Sequence, residues 1–191
     1  MAKLKELFLG ANTIKSIETE AFADRKSLEA LYLNNLVLHT ISQGAFHNLP
    51  SLKEINLQDN YLDTIQGSIF YNTPALVALD LSLNYPLQDI GTVLENIPPD
   101  ALVNLTITGI ETIPERSFRG FLENVIKNKR KGKIDLKPTT GYYKPMLKCL
   151  CDIKWLANSK MNVSNILLNA TCQDGKSFDQ VKNKIDKRMI P

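Results

Sequence analysis

An internal period constrains this chain more than any other feature. Leu4, Leu7, Leu9, Asn12, Ile14, Ile17 and Phe22 set out a spacing that starts again twenty-four residues later. The second copy reads Leu28, Leu31, Leu33, Leu36, Leu38, Ile41 and Phe46, and the third Leu52, Ile55, Leu57, Asn60, Leu62, Ile65 and Phe70. A fourth starts at Leu76 with Leu79, Leu81 and Asn84. It carries an insertion around Pro86 and closes in the turn Pro98-Pro99-Asp100. A fifth reads as Leu102, Leu105, Ile107, Ile110, Ile113 and Phe118, about two residues short and without the Asn. A degenerate sixth, starting near residue 131, is expected to place a strand at Ile134-x-Leu136. Apolar residues that alternate over a short span suit a strand buried on one face. Each unit is too small to bury that face alone, so the units must stack and line their strands up as one parallel sheet.

This pattern resembles the leucine-rich-repeat family in its 24-residue extracellular form. The resemblance implies an α/β solenoid with a curved parallel sheet on the concave face. Short helical or irregular segments would return along the convex face, and a capping subdomain would close the C-terminus. The array is expected over 1–137 and the cap over 138–191. In such an array Asn12, Asn60 and Asn84 bind backbone groups of adjoining coils, and Phe22, Phe46, Phe70 and Phe118 form a core spine. Leu36 and Ile110 fall where the Asn is missing or the register shortens, so the arc is expected to be imperfect there.

Periodicity stops after Leu136, and Cys149, Cys151 and Cys172 follow with the pair Trp155-Leu156. This C-x-C spacing and its distant third cysteine resemble the extracellular cap of the family. The family's pairing implies a Cys149–Cys172 bridge. It also implies that Cys151 is unpaired, because the fourth cysteine would fall just past Pro191, so the cap reads as truncated. Three buried thiols in a cytosolic protein remain the alternative. Three Cys without a nearby His suit zinc poorly, and no metal is expected. The residues from Cys151 to Leu156 and from Ala170 to Phe178 also resemble the cap of arthropod secreted proteins similar to the non-catalytic leucine-rich subunit of a shrimp luciferase.

Asn104-Leu-Thr106, Asn162-Val-Ser164 and Asn169-Ala-Thr171 fit the N-glycosylation pattern. Asn104 is either a glycan site on the concave face or an ordinary polar strand residue. Charge divides sharply along the chain. Residues 1–124 carry 8 Lys and Arg against 15 Asp and Glu, and residues 125–191 carry 15 against 5. Five of the basic residues (Lys127, Lys129, Arg130, Lys131 and Lys133) lie within seven positions. That run is either an anionic-glycan site or a solvated loop between the last repeat and the cap. No nucleic-acid motif accompanies it, so no nucleic-acid partner is expected.

The outward strand positions are the candidate binding face. One column reads Phe8, Tyr32, Asn56, Asp80 and Thr106, and the next Glu6, Ala30, Glu54, Ala78 and Asn104. A third reads Lys5, Glu29, Lys53, Val77 and Val103. Phe8 and Tyr32 would sit about 4.8 Å apart on adjacent strands as interface anchors. Alternatively, Phe8 packs beneath a preceding repeat. Phe8, Tyr32, Glu54, Asn56 and Asp80 are thus the expected partner-binding residues.

Hydrophobic residues make up 43% of the chain and charged residues 23%, a balance that permits a core and argues against disorder. No apolar run is long enough to span a membrane. The N-terminus lacks a signal-peptide apolar region and enters a repeat at once, so the chain reads as a piece of a longer protein. The two His lie in the second repeat, and no nucleophile elbow, phosphate loop or metalloprotease motif occurs. The expectation is therefore a scaffold without catalytic activity or cofactor. It would be secreted or part of an ectodomain, binding a protein ligand or receptor through the concave face. An accessory subunit of an extracellular enzyme and an intracellular repeat adaptor are the alternatives.

Overall fold

The computed structural model describes residues 4–65, 67–137, 147–148, 155–156, 159, 161–177 and 180–181. Its main feature is a seven-stranded sheet of β1 (Glu6–Phe8), β3 (Ala30–Tyr32), β6 (Glu54–Asn56), β8 (Ala78–Asp80), β9 (Leu102–Asn104), β10 (Lys133–Asp135) and β11 (Leu167–Leu168), in that order. Every neighbouring pair is parallel and in register. Leu31, Ile55, Leu79, Val103, Ile134 and Leu167 thus form one inward column, all buried.

Two smaller parallel ladders join consecutive coils away from the sheet. One pairs β2 (Ser16–Ile17) with β4 (Thr40–Ile41), the other β5 (Phe46–His47) with β7 (Phe70–Tyr71). The second carries the expected aromatic spine. Phe22, Phe46 and Phe70 stack at 5.8 and 5.3 Å between ring centroids, with Phe46 and Phe70 fully buried.

A second ladder of conformation marks where each coil leaves the sheet. Ala11, Asn35, Asp59, Leu83 and Ile107 all adopt positive φ, between 55° and 59°. They recur at the same 24-residue interval, which corrects the expected register of the fifth repeat. Leu79 pairs with Val103 and Ala78 with Leu102, so the fifth coil is in full register and starts two residues earlier than its leucines suggest. Val103 is therefore core and Leu102, 46% exposed, points outward. Asn104, not Thr106, continues the column of Phe8, Tyr32, Asn56 and Asp80. The insertion expected near Pro86 is corrected as well, because Leu79 to Val103 is one full 24-residue period and the fourth coil holds no extra residue. There a 3-10 helix, Val93–Asn96, replaces the extended return of earlier coils.

Asn60 and Asn84 do the coil-to-coil work expected of them, and Asn12 does not. The Asn60 amide donates to the carbonyls of Leu33 and Leu57, both at 2.9 Å, and its Oδ1 accepts from the backbone N–H of Leu36 and Leu38. Asn84 repeats the arrangement toward Leu57, Leu81 and Leu62. Asn12 reaches only Leu9 and Gly10 in its own coil. Where Leu36 replaces the Asn, a backbone bond takes its place, the Ile14 N–H donating to the Leu36 carbonyl at 2.9 Å. In the fifth coil Thr108 copies only the short-range half of the motif, its hydroxyl donating to Leu105.

The fifth coil returns through α1 (Glu115–Lys127), longer than the short segment the period suggests. Ser117, Phe118, Phe121, Leu122 and Val125 are buried along one face. That spacing is helical, which is why this return folds as a helix. Glu115 and Glu123 flank Arg119 at i±4 on the exposed side. The sixth strand occurs where expected, with Ile134 and Leu136 buried. The sheet then continues past residue 137 through β11, so the cap contributes a strand to it. Trp155 joins cap to array, its indole N–H donating to the Ile113 carbonyl at 2.8 Å.

Candidate interaction face

The outward face of the sheet is built by alternation. Inward side chains fill the core, so residues on either side of them must face out. Its first column is Phe8, Tyr32, Asn56, Asp80, Asn104 and Asp135. It splits into two chemically different halves. Phe8 and Tyr32 stack with ring centroids 4.5 Å apart and 8° between planes. Phe8, 67% exposed, stands on the same outward face as Tyr32, its register partner. From Asn56 onward the column is made of short Asx side chains with a backbone task. Each Oδ1 accepts the N–H two residues ahead: Gln58, Ser82, Thr106 and Lys137 in turn. These bonds occupy donors at the turn where the chain leaves the sheet, a local role typical of Asx residues.

The neighbouring column is Glu6, Ala30, Glu54, Ala78, Leu102 and Lys133. At the edge of the sheet, Glu29 bridges Lys5 at 2.8 Å and Lys53 at 2.7 Å. Hydrogen bonds from Lys5 and then Lys53, with their charges, bring the Glu29 carboxyl down to about 2. Burial, aided by the Glu54 and Glu6 carboxylates, pushes the Tyr32 phenol above its ordinary value.

The expected partner-binding residues Phe8, Tyr32, Glu54, Asn56 and Asp80 therefore do share one face. Sequence reasoning missed Leu102, Lys133 and Asp135 as members of these columns, because the fifth register was misplaced and the sixth strand was only outlined. It also missed an exposed aromatic edge. Tyr61 stacks on His39 at 5.6 Å, and Tyr85 stands twenty-four residues further on at the same repeat position.

The basic run leaves the end of α1 and enters β10. Arg130 pairs with Asp100, whose Oδ1 also accepts the Lys131 N–H, so the Pro98-Pro99-Asp100 turn holds the loop. Lys129, Lys131 and Lys133 line an open groove of about 430 Å³ with Asn162, Asn165, Ile126 and Ile166. Of the sequon residues, Asn162 and Asn169 are exposed and Asn104 is half-buried. The Asn169 amide donates to Asp135 at 2.9 Å. Cys172 is buried within the cap. Cys149 and Cys151, and with them the expected pairing, lie outside the described residues. Among the described residues no cluster of His, Cys, Asp or Glu could hold a metal, and no helix is long and apolar enough to cross a membrane.

The family model for the leucine rich repeat matches residues 2–62 and 33–85. The in-register sheet carries the same architecture beyond that match, through β9, β10 and β11. The chain is a leucine-rich-repeat solenoid. Comparison with curated proteins gives no match. Among solved structures it is similar to the crystal structure of human 5T4 (Wnt-activated inhibitory factor 1, trophoblast glycoprotein). The identity is 17% and the TM-score 0.42, over 96% of this chain and 86% of that one. The fold is that of a protein-interaction scaffold, with an extended surface and many equivalent outward positions.

Proposed function

We propose that the protein is a non-catalytic scaffold that binds a protein partner through the N-terminal half of its concave sheet face. The stack of exposed Phe8 on half-buried Tyr32 carries this reading. Large aromatic surface left in water on a rigid sheet is costly to maintain and typical of interface anchors. Asn56 borders the pair, Asp80 follows it in the column, and both would contribute their remaining polar atoms. The test is an array of extracellular domains probed with the wild-type chain and with a Phe8→Ser/Tyr32→Ser double variant. A partner bound by the first and lost by the second, with unchanged circular dichroism, supports the reading. Partners bound equally by both overturn it.

The same reading places the scaffold outside the cell, secreted or as part of an ectodomain, with Cys149 bridged to Cys172 and glycans on Asn162 and Asn169. The burial of Cys172 and the exposure of both Asn residues support this. Material expressed through a secretory pathway should lose mass on glycosidase treatment and yield a Cys149–Cys172 peptide without reductant. Reduced cysteines in native material would instead favour an intracellular adaptor.

The groove beside the basic run supports a second contact, to an anionic glycan. With Arg130 already paired to Asp100, the lysines at 129, 131 and 133 would carry it. Elution from heparin at clearly lower salt after Lys129→Gln/Lys131→Gln supports that contact, and unchanged elution excludes it.

A further inference from the structure

One of the three sequons opens onto the basic groove. Asn162 and Asn165 line the same groove as the lysines at 129, 131 and 133, and none of the described residues lining it is acidic. Asn162, Ser164 and Asn165 are exposed around the buried Val163. The Asn162 Oδ1 accepts the Ser164 N–H at 3.4 Å, so the sequon itself sits in an Asx turn.

The backbone fixes the groove's lining. On the loop after α1, the Arg130 N–H donates to the Val125 carbonyl and the Gly132 N–H to that of Pro99, both at 2.9 Å. After the sequon, the Ile166 and Leu167 N–H groups both donate to the Val163 carbonyl at 2.8 Å. The Ile134 N–H of β10 donates to the Ile166 carbonyl at 2.8 Å, which ties the sequon turn to the strand that begins at Lys133. A sugar on the Asn162 amide therefore starts at the lining of the groove. Asn169 is placed differently. It follows β11, donates to Asp135, and lines a separate recess with Thr171 and Ser177.

We propose that an N-linked glycan on Asn162 occupies this groove and excludes the anionic glycan, so that modification of the sequon switches that contact off. The proposal rests on the reading of the groove as an anionic-glycan contact and adds its regulation. The volume of about 430 Å³ is near the lower end of the roughly 300–1,000 Å³ that takes one small ligand, so two sugar chains do not fit together. Ile126, 37% exposed, offers the C–H face of a sugar an apolar rest, and the lysine ammonium groups offer donors to its oxygens. Tethering makes even weak contacts effective. At an effective concentration of about 1 mM, a tethered glycan with a dissociation constant of about 0.1 mM weakens a free competitor about tenfold.

The test uses the full chain secreted by cells that make only uncharged high-mannose glycans, so that no sialic acid alters the charge. Mass spectrometry reads the occupancy of Asn162. Calorimetry with a short heparin oligosaccharide compares this form with one trimmed by an endoglycosidase to a single sugar per site. The trimmed form should bind about tenfold more tightly. Ser164→Ala and Asn162→Gln, which never receive the glycan, should match the trimmed form without treatment. Thr171→Val, which removes the Asn169 glycan instead, should keep the full effect of trimming. Equal binding before and after trimming, with binding lost in Lys129→Gln/Lys131→Gln, overturns the exclusion and leaves the anionic-glycan contact standing. Binding that ignores those lysines in every form overturns that contact and the exclusion with it. An unmodified Asn162 in the secreted protein overturns the proposal, as does a trimming effect that Thr171→Val abolishes and Ser164→Ala leaves intact.

Discussion

Replacing Asn60 by Ala should weaken the array far more than the same change at Asn12, although both occupy the same place in the repeat. Asn60 is 3% exposed, and its Oδ1 is the acceptor for the N–H groups of Leu36 and Leu38, both fully buried. Truncation strands both donors away from water, at about 1–3 kcal/mol each. It also frees the Leu33 and Leu57 carbonyls that the amide serves. The expected loss is about 3–5 kcal/mol. For a chain of this length that lowers the melting temperature by roughly 10 °C. Asn12 is exposed and donates only to Leu9 and Gly10, groups that water can reach. Its replacement should cost no more than about 1 kcal/mol. Asn60→Asp sharpens the comparison. It keeps the acceptor for Leu36 and Leu38 but faces the Leu33 and Leu57 carbonyls with oxygen, so it should destabilise increasingly as pH rises and the acid ionises. Urea denaturation followed by circular dichroism at two pH values measures all three. Equal losses for Asn60→Ala and Asn12→Ala would refute the coil-to-coil assignment.

Three further expectations follow from the backbone and the edge charges. Gly109 packs against the Tyr85–Leu87 backbone of the fourth coil, where a Cβ would fall 2.6 Å from the Tyr85 carbonyl oxygen and 3.1 Å from that of Leu87. Gly109→Ala should therefore cost about 2–3 kcal/mol in denaturant titrations, and a cost below about 0.5 kcal/mol would show that the coils can separate freely there. Leu83 holds the positive-φ position that Asn35 and Asp59 hold in earlier coils. Relief of the left-handed penalty should outweigh the loss of a half-buried side chain, so Leu83→Asn should raise stability by about 0.5–1 kcal/mol, and a lower melting temperature would contradict this. Glu29, lowered from 4.5 to about 2 by Lys5 and Lys53, adds stability that is fully present above pH 4.5 and lost as pH falls toward 2. A carboxyl titration should find its midpoint well below 4.5 and moved upward in Lys53→Ala; an unmoved midpoint would exclude the bridge.

How much of this was legible depends on which residues carry the information. The first four coils could be read directly, because Leu31, Ile55 and Leu79 repeat the same apolar type at the same place. The fifth could not, because two leucines compete for one role. Leu102 and Leu105 look like the start and middle of a repeat, whereas the backbone puts Val103 inside and Leu102 outside. Side-chain type alone favoured the wrong register. The 24-residue recurrence of positive φ, invisible in residues such as Leu83 and Ile107, settles the other one. Helix α1 was only half legible. Phe118 marked the return segment, but Phe121, Leu122 and Val125, which continue its buried face, were not read as helical spacing. The β11 strand was not legible at all: Leu167–Leu168 is too short to show a period, and its pairing with β10 is a tertiary fact.

The same division bears on where the proposed partner would sit on the sheet. Asn56, Asp80, Asn104 and Asp135 all stand outward, yet each gives one side-chain oxygen to a backbone N–H at the sheet's exit turn. Changing any of them to a large contact residue would leave that donor to find another partner. The C-terminal half of the column is therefore held to short Asx side chains by the fold. Phe8 and Tyr32 occupy the same column without such a bond among the described residues, and the strands there end without an Asx acceptor. Their size and stacking are not needed to close the coil, so the coil's closure alone does not account for a stacked aromatic pair at this point. The partner footprint should centre on them. Alanine substitutions stepping along the column should then reduce affinity most at positions 8 and 32. At 56, 80 and 104 they should reduce melting temperature more than affinity.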